Sequence, residues 1–393
     1  MATARFLHAA DLHLGSPLQS LGNRVTPEIH DYAKKQVGSV FQNLVNVAKS
    51  EQVDFVVLAG DIYDTADRDP GAQMRVNLGL RELSDAGIKV FMVHGNHDPL
   101  TTDYLSGRAL PDGVHVFPAG EVTSHSISMS NGAQVTVAGI SFKTAAEENN
   151  LSKLFSEVSG KTIIGVLHTN VGGDNQHGNY APCSPADLMS SPVHYWALGH
   201  VHDRQVHSTP KGFWAYPGNL QGRSIKATEC GPKGVLIVEV DEDGSLETPR
   251  FVPCDALRFQ RLSIDLTQTM EYNDVYDITI EALQAATNDA DDRSLMFRVE
   301  FIGTPNFYSD LAKDFDKLTA GIFDSGTEIM GDGAVIKIVN SCRPMIDLAA
   351  ERERGTLLGD LLRELDKRPL QDIDDELRAE VENLLINALE GNK

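Results

Sequence analysis

Five short apolar runs in this chain are each followed closely by residues that can bind a metal ion. They are Arg5–Ala10 before Asp11 and His13, Asp54–Ala59 before Asp61, Lys89–Val93 before Asn96, Thr162–Leu167 before His168, and Tyr195–Leu198 before His200 and His202. Short β-rich runs that alternate with helix-length segments predict an α/β sheet, and such sheets carry their chemistry outside the carboxyl ends of the strands. We therefore expect these seven ligands to converge at one edge of the sheet, which is the pattern of a binuclear metal hydrolase.

The types of ligand narrow the choice of metal. Two carboxylates, one amide oxygen and four imidazoles, without a thiolate, suit divalent cations such as Mn²⁺, Fe²⁺ or Zn²⁺. In two-metal sites the ions lie ~3.5–4 Å apart and hold both the attacking and the leaving oxygen. Asp61 is the candidate for a bridging carboxylate because it follows the most apolar run. Asp11 and His13, two residues apart at a strand end, point the same way and can bind one ion together.

Each of these residues has an ordinary structural role as its alternative. Asn and Asp favour turns, so Asp11 or Asp61 alone could simply cap a turn. Five such motifs in order, each behind an apolar run, favour the metal site. Among the other polar residues, we expect His8 in the core, whereas His94 could either pack or face the site. Asp64 could equally face the site or the solvent.

The length and composition predict a reduced, cytoplasmic protein of two or three domains. The chain of 393 residues contains no apolar stretch near the ~20 residues that a membrane helix needs. The first strand begins at Arg5, which leaves no room for a signal peptide. Four scattered cysteines form no CxxC pair. They are Cys183, Cys230, Cys254 and Cys342.

The net charge of −22 argues against a broad nucleic-acid-binding surface, for which a basic footprint is expected. The charge is uneven, because residues 254–393 carry 15 Lys and Arg against 29 Asp and Glu, a net −14. Two divalent ions beside Asp11 and Asp61 would make the site itself locally positive. We therefore expect this chain not to hold DNA tightly by itself.

Five motifs together resemble the calcineurin-like metallophosphoesterase superfamily and, within it, the SbcD-type DNA-repair exonucleases. They are ADLHLG (10–15), LAGDIYD (58–64), GNHD (95–98), GHVH (199–202) and YPGN (216–219). The relatives usually carry serine where this chain has Asn219. The resemblance covers about residues 1–253 and extends more loosely to the end of the chain. It implies an α/β fold in which two sheets and two helical layers form a four-layer α/β/β/α sandwich.

The resemblance also implies roles for the site residues. The first metal ion would be held by Asp11, His13, Asp61 and His202, and the second by Asp61, Asn96, His168 and His200. His97 would lie near the scissile phosphate as proton donor or transition-state stabiliser, and Asp98 would orient its ring. A metal-bound hydroxide would attack phosphorus in line. A preference for Mn²⁺ is inherited from the family.

The chain after the metal motifs predicts two further segments. A boundary at the proline-flanked stretch 249–253 separates a nuclease domain, residues 1–253, from a small α/β capping domain, residues 254–343. In the capping domain we expect strands at 259–266, 295–301 and 335–339, and helices at 273–286 and 309–324. Residues 344–393 are rich in helix formers and predict a helical segment.

The helical segment carries two leucine-rich stripes. One contains Leu357, Leu358, Leu361, Leu362 and Leu365, and the other contains Leu377, Val381, Leu384, Leu385 and Ala388. Such stripes can pack on the chain itself. In SbcD-type proteins this segment grips the coiled coil of an SMC-like ATPase, which is the partner we favour. There is no P-loop in the sequence, so any ATP dependence would come from that partner. A homodimer is also consistent with the sequence.

Two functions from different classes remain open. The first is a metal-dependent nuclease acting on DNA in double-strand-break repair, as the nuclease subunit of an ATPase complex. The second is a stand-alone phosphatase or phosphodiesterase acting on small phosphoesters. The ADLHLG and YPGN motifs and the 140 residues after the first domain favour the nuclease, whereas the acidic charge favours the alternative.

Overall fold

The strands and helices alternate along most of the chain. The computed structural model describes residues 4–64, 69–101, 110–173, 180–291, 293–345 and 348–367. The strands are β1 (Ala4–Ala9), β2 (Phe55–Ala59), β3 (Lys89–Val93), β4 (Val114–Val116), β5 (Thr123–Ser128), β6 (Gln134–Gly139), β7 (Thr162–His168), β8 (Tyr195–Gly199), β9 (Gln205–Thr209), β10 (Gly212–Tyr216), β11 (Gly234–Val240), β12 (Arg250–Pro253), β13 (Leu257–Asp265), β14 (Ser294–Ile302) and β15 (Ala334–Asn340). The helices are α1 (Pro27–Ser50), α2 (Pro70–Asp85), α3 (Pro185–Ser190), α4 (Asp274–Asn288), α5 (Tyr308–Lys313), α6 (Phe315–Met330), α7 (Leu348–Arg352) and α8 (Leu357–Lys367).

Two six-stranded sheets form the centre of the fold. The first has the strand order β12-β11-β1-β2-β3-β4 and the second the order β5-β6-β7-β8-β10-β9. Strands β1 to β4 run parallel, as do β6, β7, β8 and β10. The motif-bearing strands are therefore divided between two sheets, whereas the apolar runs alone suggested a single sheet. Apolar runs report burial and not which sheet a strand joins, so only the topology could reveal the division.

Apolar side chains from both sheets pack against each other between the layers. Phe6 of β1 stacks on Phe55 of β2 with ring centroids 4.9 Å apart, and Tyr195 of β8 meets Phe6 edge to face at 5.3 Å. The outer face of the first sheet is covered by α1 and α2, and that of the second by α3 and a short 3₁₀ helix, Leu151–Glu157. This arrangement confirms the predicted four-layer α/β/β/α sandwich.

Local sequence signals explain where the covering helices begin. The Thr26 side chain accepts a hydrogen bond from the backbone N–H of Ile29, and Pro27 occupies the first turn of α1. Asp69 caps α2 in the same way by accepting from Gly71 at 2.8 Å. Side-chain caps satisfy backbone N–H groups that have no partner within the helix. Both helices lie in the first sandwich layer.

A third sheet has the order β13-β14-β15. The alternation in β14 buries Leu295, Phe297, Val299 and Phe301, as the sequence pattern predicts. The predicted helix at 309–324 is instead two helices, α5 and α6, which are separated at Asp314. Its φ of −105° and ψ of 17° depart from helical geometry.

The chain divides into two compact units. One comprises Met1–Ser263, Tyr276–Glu300 and Leu318–Val339. The other comprises Ile264–Val275, Phe301–Lys317 and Asn340–Lys393. Both six-stranded sheets lie in the first unit, where Ile29 and Ala33 of α1 also share an apolar cluster with Phe259 and Met296. The division into domains 1–253, 254–343 and 344–393 remains a prediction.

Within the second unit, α7 and α8 form the described part of the predicted helical segment. The backbone N–H of Gly359 donates to the Thr356 side chain at 3.0 Å, which caps the start of α8. Leu362 is buried, whereas Leu357 is 63% exposed. The second leucine stripe, which runs from Leu377 to Ala388, lies outside the described residues.

Candidate metal centre

The ends of five strands bring the predicted ligands to the same edge of the sandwich. Strands β1, β2 and β3 of the first sheet and β7 and β8 of the second end there. The backbone N–H of Asp11 donates to the carbonyl of Gly60 at 3.1 Å, so the first two strand ends are fixed to each other. The backbone N–H of His200 donates to both carboxylate oxygens of Asp11, at 3.0 and 3.1 Å, which joins the two sheets. All the predicted ligands except Asn96 and His202 are buried.

Asp61 lies at the middle of the cluster. Its Oδ2 atom is 3.4 Å from Nε2 of His168 and 3.9 Å from Nε2 of His13. Three groups of side chains could each hold a metal ion, because their ligand atoms lie within 4.8 Å of one another. These groups are Asp11 with His13 and His202, His13 with Asp61 and His97, and Asp11 with Asp61 and His168. Asp11, His13 and Asp61 each belong to two of them.

The two remaining predicted ligands lie beside His168. Oδ1 of Asn96 is 3.0 Å from the Nε2 atom of His168. The His200 ring contacts the His168 ring edge to face, with centroids 5.3 Å apart. The structure therefore brings together all seven residues that the sequence singled out, and the assignment of each one to a particular ion remains a prediction.

The hydrogen bonds of two imidazoles direct their Nε2 atoms into the cluster. Nδ1 of His202 lies 2.7 Å from a carboxylate oxygen of Glu229, and Nδ1 of His168 lies 2.9 Å from the carbonyl of Ala59. Both partners are acceptors, so each Nδ1 carries a proton, and each Nε2 is the atom that would give its lone pair to a bound metal ion. The Nε2 atom of His202 then faces that of His13 at only 3.2 Å. A cation between such atoms would satisfy both, so the residues present fit a divalent metal ion.

Four of the predicted ligands have an unusual backbone conformation. Asp11, His13, Asp61 and His200 have φ values of 51°, 43°, 52° and 105°. Positive φ is uncommon for residues other than glycine, and it persists where the surrounding structure determines it. Such strained residues cluster at functional sites, and here they aim the side chains inward at the strand ends.

Two glycines explain why a small residue precedes the ligands Asp61 and Asn96. A Cβ atom on Gly60 would lie 2.5 Å from Nδ1 of His168, and one on Gly95 would lie 2.3 Å from a carboxylate oxygen of Asp61. Any larger residue would collide with the cluster. Gly60 and Gly95 are thus required because the side chains of His168 and Asp61 lie directly against their backbone.

Burial and mutual charge shift the titration of the cluster. Burial raises the pKa of Asp11 and lowers the pKa of His13 well below its usual range. Burial also acts on His168, but the neighbouring Asp61 carboxylate outweighs it and raises the pKa of His168 to about 9. The same contact lowers the pKa of Asp61 against the effect of burial. The pKa values of these groups shift in opposite directions because the buried carboxylates and imidazoles lie close enough to act on one another.

The carboxylate beside His97 is Asp64 and not Asp98, which corrects the expectation that Asp98 orients this ring. Nδ1 of His97 lies 3.4 Å from Oδ1 of Asp64, and this contact raises the pKa of His97. Asp98 instead accepts backbone N–H groups from Ile62 and Gly95, both at 2.8 Å. A buried carboxylate that accepts two backbone donors fixes the loops around it. The signal for Asp64 was present, since it closes the motif GDIYD three residues after Asp61.

Three residues near the centre have contacts that the sequence did not predict. Glu229 holds His202 with one oxygen, and its other oxygen accepts the Asn219 side-chain amide at 2.9 Å. Arg223 pairs with Asp64 at 3.3 Å and lies 3.9 Å from Glu229. Despite burial, the hydrogen bond and charge of His202 lower the pKa of Glu229 to about 2. No pattern in the segment 221–230 points to these roles.

The side-chain amide of Asn219 makes two hydrogen bonds that the serine expected from the sequence resemblance could not make. The Nδ2 group donates to the carbonyl of Gln221 at 2.7 Å as well as to Glu229. A serine hydroxyl has a single proton and could not make both bonds. Asn219 therefore supports the carboxylate that holds His202.

Two other buried histidines, His8 and His94, belong to none of the candidate metal groups. His8 is fully buried, with hydrogen bonds to the hydroxyl of Tyr195 at 3.0 Å and the carbonyl of Leu198 at 3.1 Å, which confirms its expected place in the core. Burial lowers the pKa of His8 to about 3. His94 lies against Asp98, with Nδ1 3.5 Å from its carboxylate. His94 therefore contacts the carboxylate that holds the two loops, and it belongs to none of the candidate metal groups.

The family of the chain follows from a comparison with known sequence families. The chain belongs to the calcineurin-like phosphoesterase family, whose model matches residues 4–204. It is therefore a metallophosphoesterase, a hydrolase of a family that uses a dimetal centre. Residues 259–343 match a second family, described as the middle domain of metallophosphoesterase YhaO.

Individual relatives are more distant. The uncharacterized metallophosphoesterase YhaO of Bacillus subtilis (strain 168) is 33% identical over 265 residues, which cover 67% of this chain and 63% of that protein. The SbcD component of the nuclease SbcCD of the same organism is 27% identical, over 60% of this chain and 66% of that protein. DNA double-strand break repair protein Mre11 of Sulfurisphaera tokodaii is 25% identical, over 62% of this chain and 61% of that protein. The matched parts span less than two thirds of the length of each relative.

No helix among the described residues is both long and apolar enough to cross a membrane.

Proposed function

We propose that this protein is a two-metal-dependent phosphodiesterase that acts on DNA, as an exonuclease or endonuclease in double-strand-break repair. The observation that carries the proposal is the central position of Asp61, whose carboxylate oxygen Oδ2 lies 3.4 Å from His168 and 3.9 Å from His13. Like Asp11, Asp61 belongs to two of the three candidate ligand groups. A shared carboxylate is what two neighbouring cations require. We assign Asp11, His13 and His202 to one ion and Asn96, His168 and His200 to the other, with Asp61 between them.

His97 differs from the proposed ligands in its exposure. Its side chain is 39% exposed, whereas that of Asp61 is 2% exposed. It can therefore touch a phosphodiester at the mouth of the site, where it would stabilise charge or hold the proton destined for the leaving oxygen. Asp64 holds its ring from behind. The metal ions, when bound, would polarise the phosphate and promote ionisation of a water molecule.

The choice of DNA as substrate is supported by the motifs ADLHLG and YPGN and by the similarity to proteins named as part of a nuclease and as Mre11. The relative with the highest identity reported above carries no stated substrate. The acidic charge of −22 favours the alternative function, a stand-alone phosphatase or phosphodiesterase acting on small phosphoesters. Both functions use the same metal centre, so only the substrate separates them.

The test compares substrates side by side. The protein is loaded with Mn²⁺, Fe²⁺ or Zn²⁺ and given linear double-stranded DNA, single-stranded DNA, bis(p-nitrophenyl) phosphate and p-nitrophenyl phosphate. We expect the highest kcat/KM on DNA and the best activation by Mn²⁺. Hydrolysis of the small esters without cleavage of either DNA would replace the nuclease by the alternative.

We also propose an SMC-like coiled-coil ATPase as a partner of residues 344–393. The support is the exposure of Leu357 on α8, an apolar side chain that a partner helix could cover. The comparison variant is Leu362→Glu, which should unfold the segment because Leu362 is buried. Leu357→Glu should retain the wild-type melting temperature and lose affinity for the purified ATPase, measured by calorimetry. Unchanged affinity of Leu357→Glu would remove this side chain from the interface. Homodimerisation, the other proposed association, is tested by light scattering.

A further inference from the structure

A basic cleft opens between the helices α1 and α2 and the loop after β1, the loop that also carries the proposed ligand His13. It has a volume of about 320 Å³ and is lined by Gly15, Ser16, Asp31, Lys34, Lys35, Val37, Gly38, Asp69 and Arg75. The backbone N–H of Ser16 donates to the carbonyl of His13 at 3.2 Å, so the floor of the cleft continues directly from a proposed ligand. Gly15 is two residues from His13, which limits the distance between their Cα atoms to roughly 7–8 Å.

The two carboxylates of this cleft are either paired or exposed to water, whereas two of its lysines have no ion pair among the described residues. Arg75 is anchored by Asp69 at 3.2 Å. Asp69 also accepts the N–H of Gly71 to cap α2, so its charge is shared between two donors. The Asp31 carboxylate is 85% exposed and lies toward His30, where water screens it. Lys34 and Lys35 are exposed, and neither forms an ion pair with any carboxylate of the described residues.

Two glycines leave room for the guanidinium group. A Cβ atom on Gly38 would lie 3.4 Å from the Arg75 guanidinium, and one on Gly71 would lie 3.2 Å from it. Arg75 therefore lies flat against the backbone of α1 and the start of α2. Two unpaired ammonium groups and a fixed guanidinium around one cleft match the chemistry of a phosphate group. Their concentration here is notable in a chain with 34 basic and 56 acidic residues.

We propose that this cleft binds a second phosphate of the substrate, an internucleotide phosphate of the same nucleic-acid strand whose scissile phosphate lies at the metal centre. The inference rests on the proposed phosphodiesterase function and specifies its substrate as a polynucleotide. The lining of the cleft begins at Gly15, two residues after the proposed ligand His13, so the cleft and the metal centre share one loop. Lys34, Lys35 and Arg75 thereby select a chain with several phosphates over an ester with one.

The test uses substrates that differ in the number of phosphates. Thymidylyl-thymidine has one phosphate and reaches only the metal centre, whereas a thymidine hexanucleotide also reaches the cleft. The variant Lys34→Gln/Lys35→Gln removes two charges from the cleft. The matched control, Lys89→Gln/Lys161→Gln, also removes two charges from exposed lysines. Lys89 is the first residue of β3 and Lys161 immediately precedes β7, so both lie at the strand ends away from the metal centre. We expect the cleft variant to lower the ratio of kcat/KM for hexanucleotide over thymidylyl-thymidine about ten-fold or more, and the control to leave the ratio unchanged.

A binding measurement separates failure of the cleft from failure of the proposed function. Anisotropy of a fluorescent hexanucleotide, recorded in EDTA over a range of salt concentrations, needs no turnover. The cleft variant should bind more weakly than the control, and its plot of log affinity against log salt should be less steep by about 1. If the wild type binds and cleaves no nucleic acid, the proposed function is wrong, together with the cleft assignment. If the wild type cleaves the hexanucleotide and the two double variants behave alike in both assays, only the cleft assignment is wrong.

Discussion

Nδ1 of His97 lies 3.4 Å from Oδ1 of Asp64, although the adjacent residue in the GNHD motif, Asp98, also carries a carboxylate. Asp98 is fully buried and is occupied by backbone N–H groups on two loops. The two carboxylates thus have separate tasks. One faces the imidazole at the mouth of the site, and the other holds the loops that carry Asp61 and Asn96.

This division predicts opposite effects of two similar substitutions. Asp64→Asn should lower kcat about ten-fold or more and lower the melting temperature less than Asp98→Asn does, because it weakens the support of His97 and one ion pair with Arg223. Asp98→Asn should lower the free energy of unfolding by about 1–3 kcal/mol, since an amide cannot accept both backbone donors with its single oxygen. Denaturant titrations and initial rates measure the two effects. The assignment is wrong if Asp98→Asn is as stable as the wild type and Asp64→Asn is not.

His97 is predicted to take part in the catalytic step and not to bind a metal ion. His97→Ala should retain both metal ions while the rate falls ~10²–10⁴-fold, as expected for loss of a general acid or charge stabiliser. The matched control is His207→Ala, an exposed ring that stacks on Trp214 with centroids 3.8 Å apart, outside every candidate metal group. Loss of metal together with rate would make His97 a ligand, consistent with its place in one candidate group.

Glu229 is predicted to control metal affinity through His202. Its carboxylate fixes the proton on Nδ1 and leaves Nε2 as the ligand atom. Glu229→Gln should therefore weaken metal binding about 10–100-fold, the usual effect of removing a carboxylate behind a ligating histidine. Calorimetric titration with Mn²⁺ measures this directly. Glu239→Gln, which affects a half-exposed pair with Arg5 on β1, should bind as the wild type does.

His8 is predicted to make the fold less stable in acid. Its pKa of about 3 lies below the ordinary value of 6.5, so the unfolded chain binds the extra proton between these two values. Stability must therefore fall as the pH drops through 6.5, by about 2 kcal/mol at pH 5 relative to pH 7.5. His8→Gln should remove this part of the pH dependence in urea denaturation. Parallel curves for wild type and variant would show that His8 contributes nothing to it.

Much of this site could be predicted from the sequence because each ligand closely follows a short buried strand. Periodicity and motif order placed Asp11, Asp61 and His168 at strand ends without any structure. The supporting residues could not be predicted in the same way. Glu229 and Arg223 reach the centre from a loop between β10 and β11, and their contacts depend on how that loop folds back. The left-handed conformation of Asp61 likewise depends on the surrounding packing.

The fold shows the same limit. The boundaries of the five strands that precede the ligands follow closely from apolar runs, and β3 matches the predicted span of 89–93 in full. The assignment of strands to two sheets does not follow, because β2 and β7 have equally buried patterns although they belong to different sheets. The break at Asp314 between α5 and α6 was also missed. Its neighbours have helical periodicity on both sides, so the pattern predicts one continuous helix.

The metal content of the Asp61→Asn variant tests the central claim most directly. If Asp61 bridges two ions, the wild type should contain two Mn²⁺ per chain by elemental analysis and native mass spectrometry. The variant should contain at most one ion and have no measurable phosphodiesterase activity, because a neutral amide cannot balance two dications. Two ions in Asp61→Asn, or a single ion in the fully active wild type, would contradict the bridging role and the two-metal account built on it.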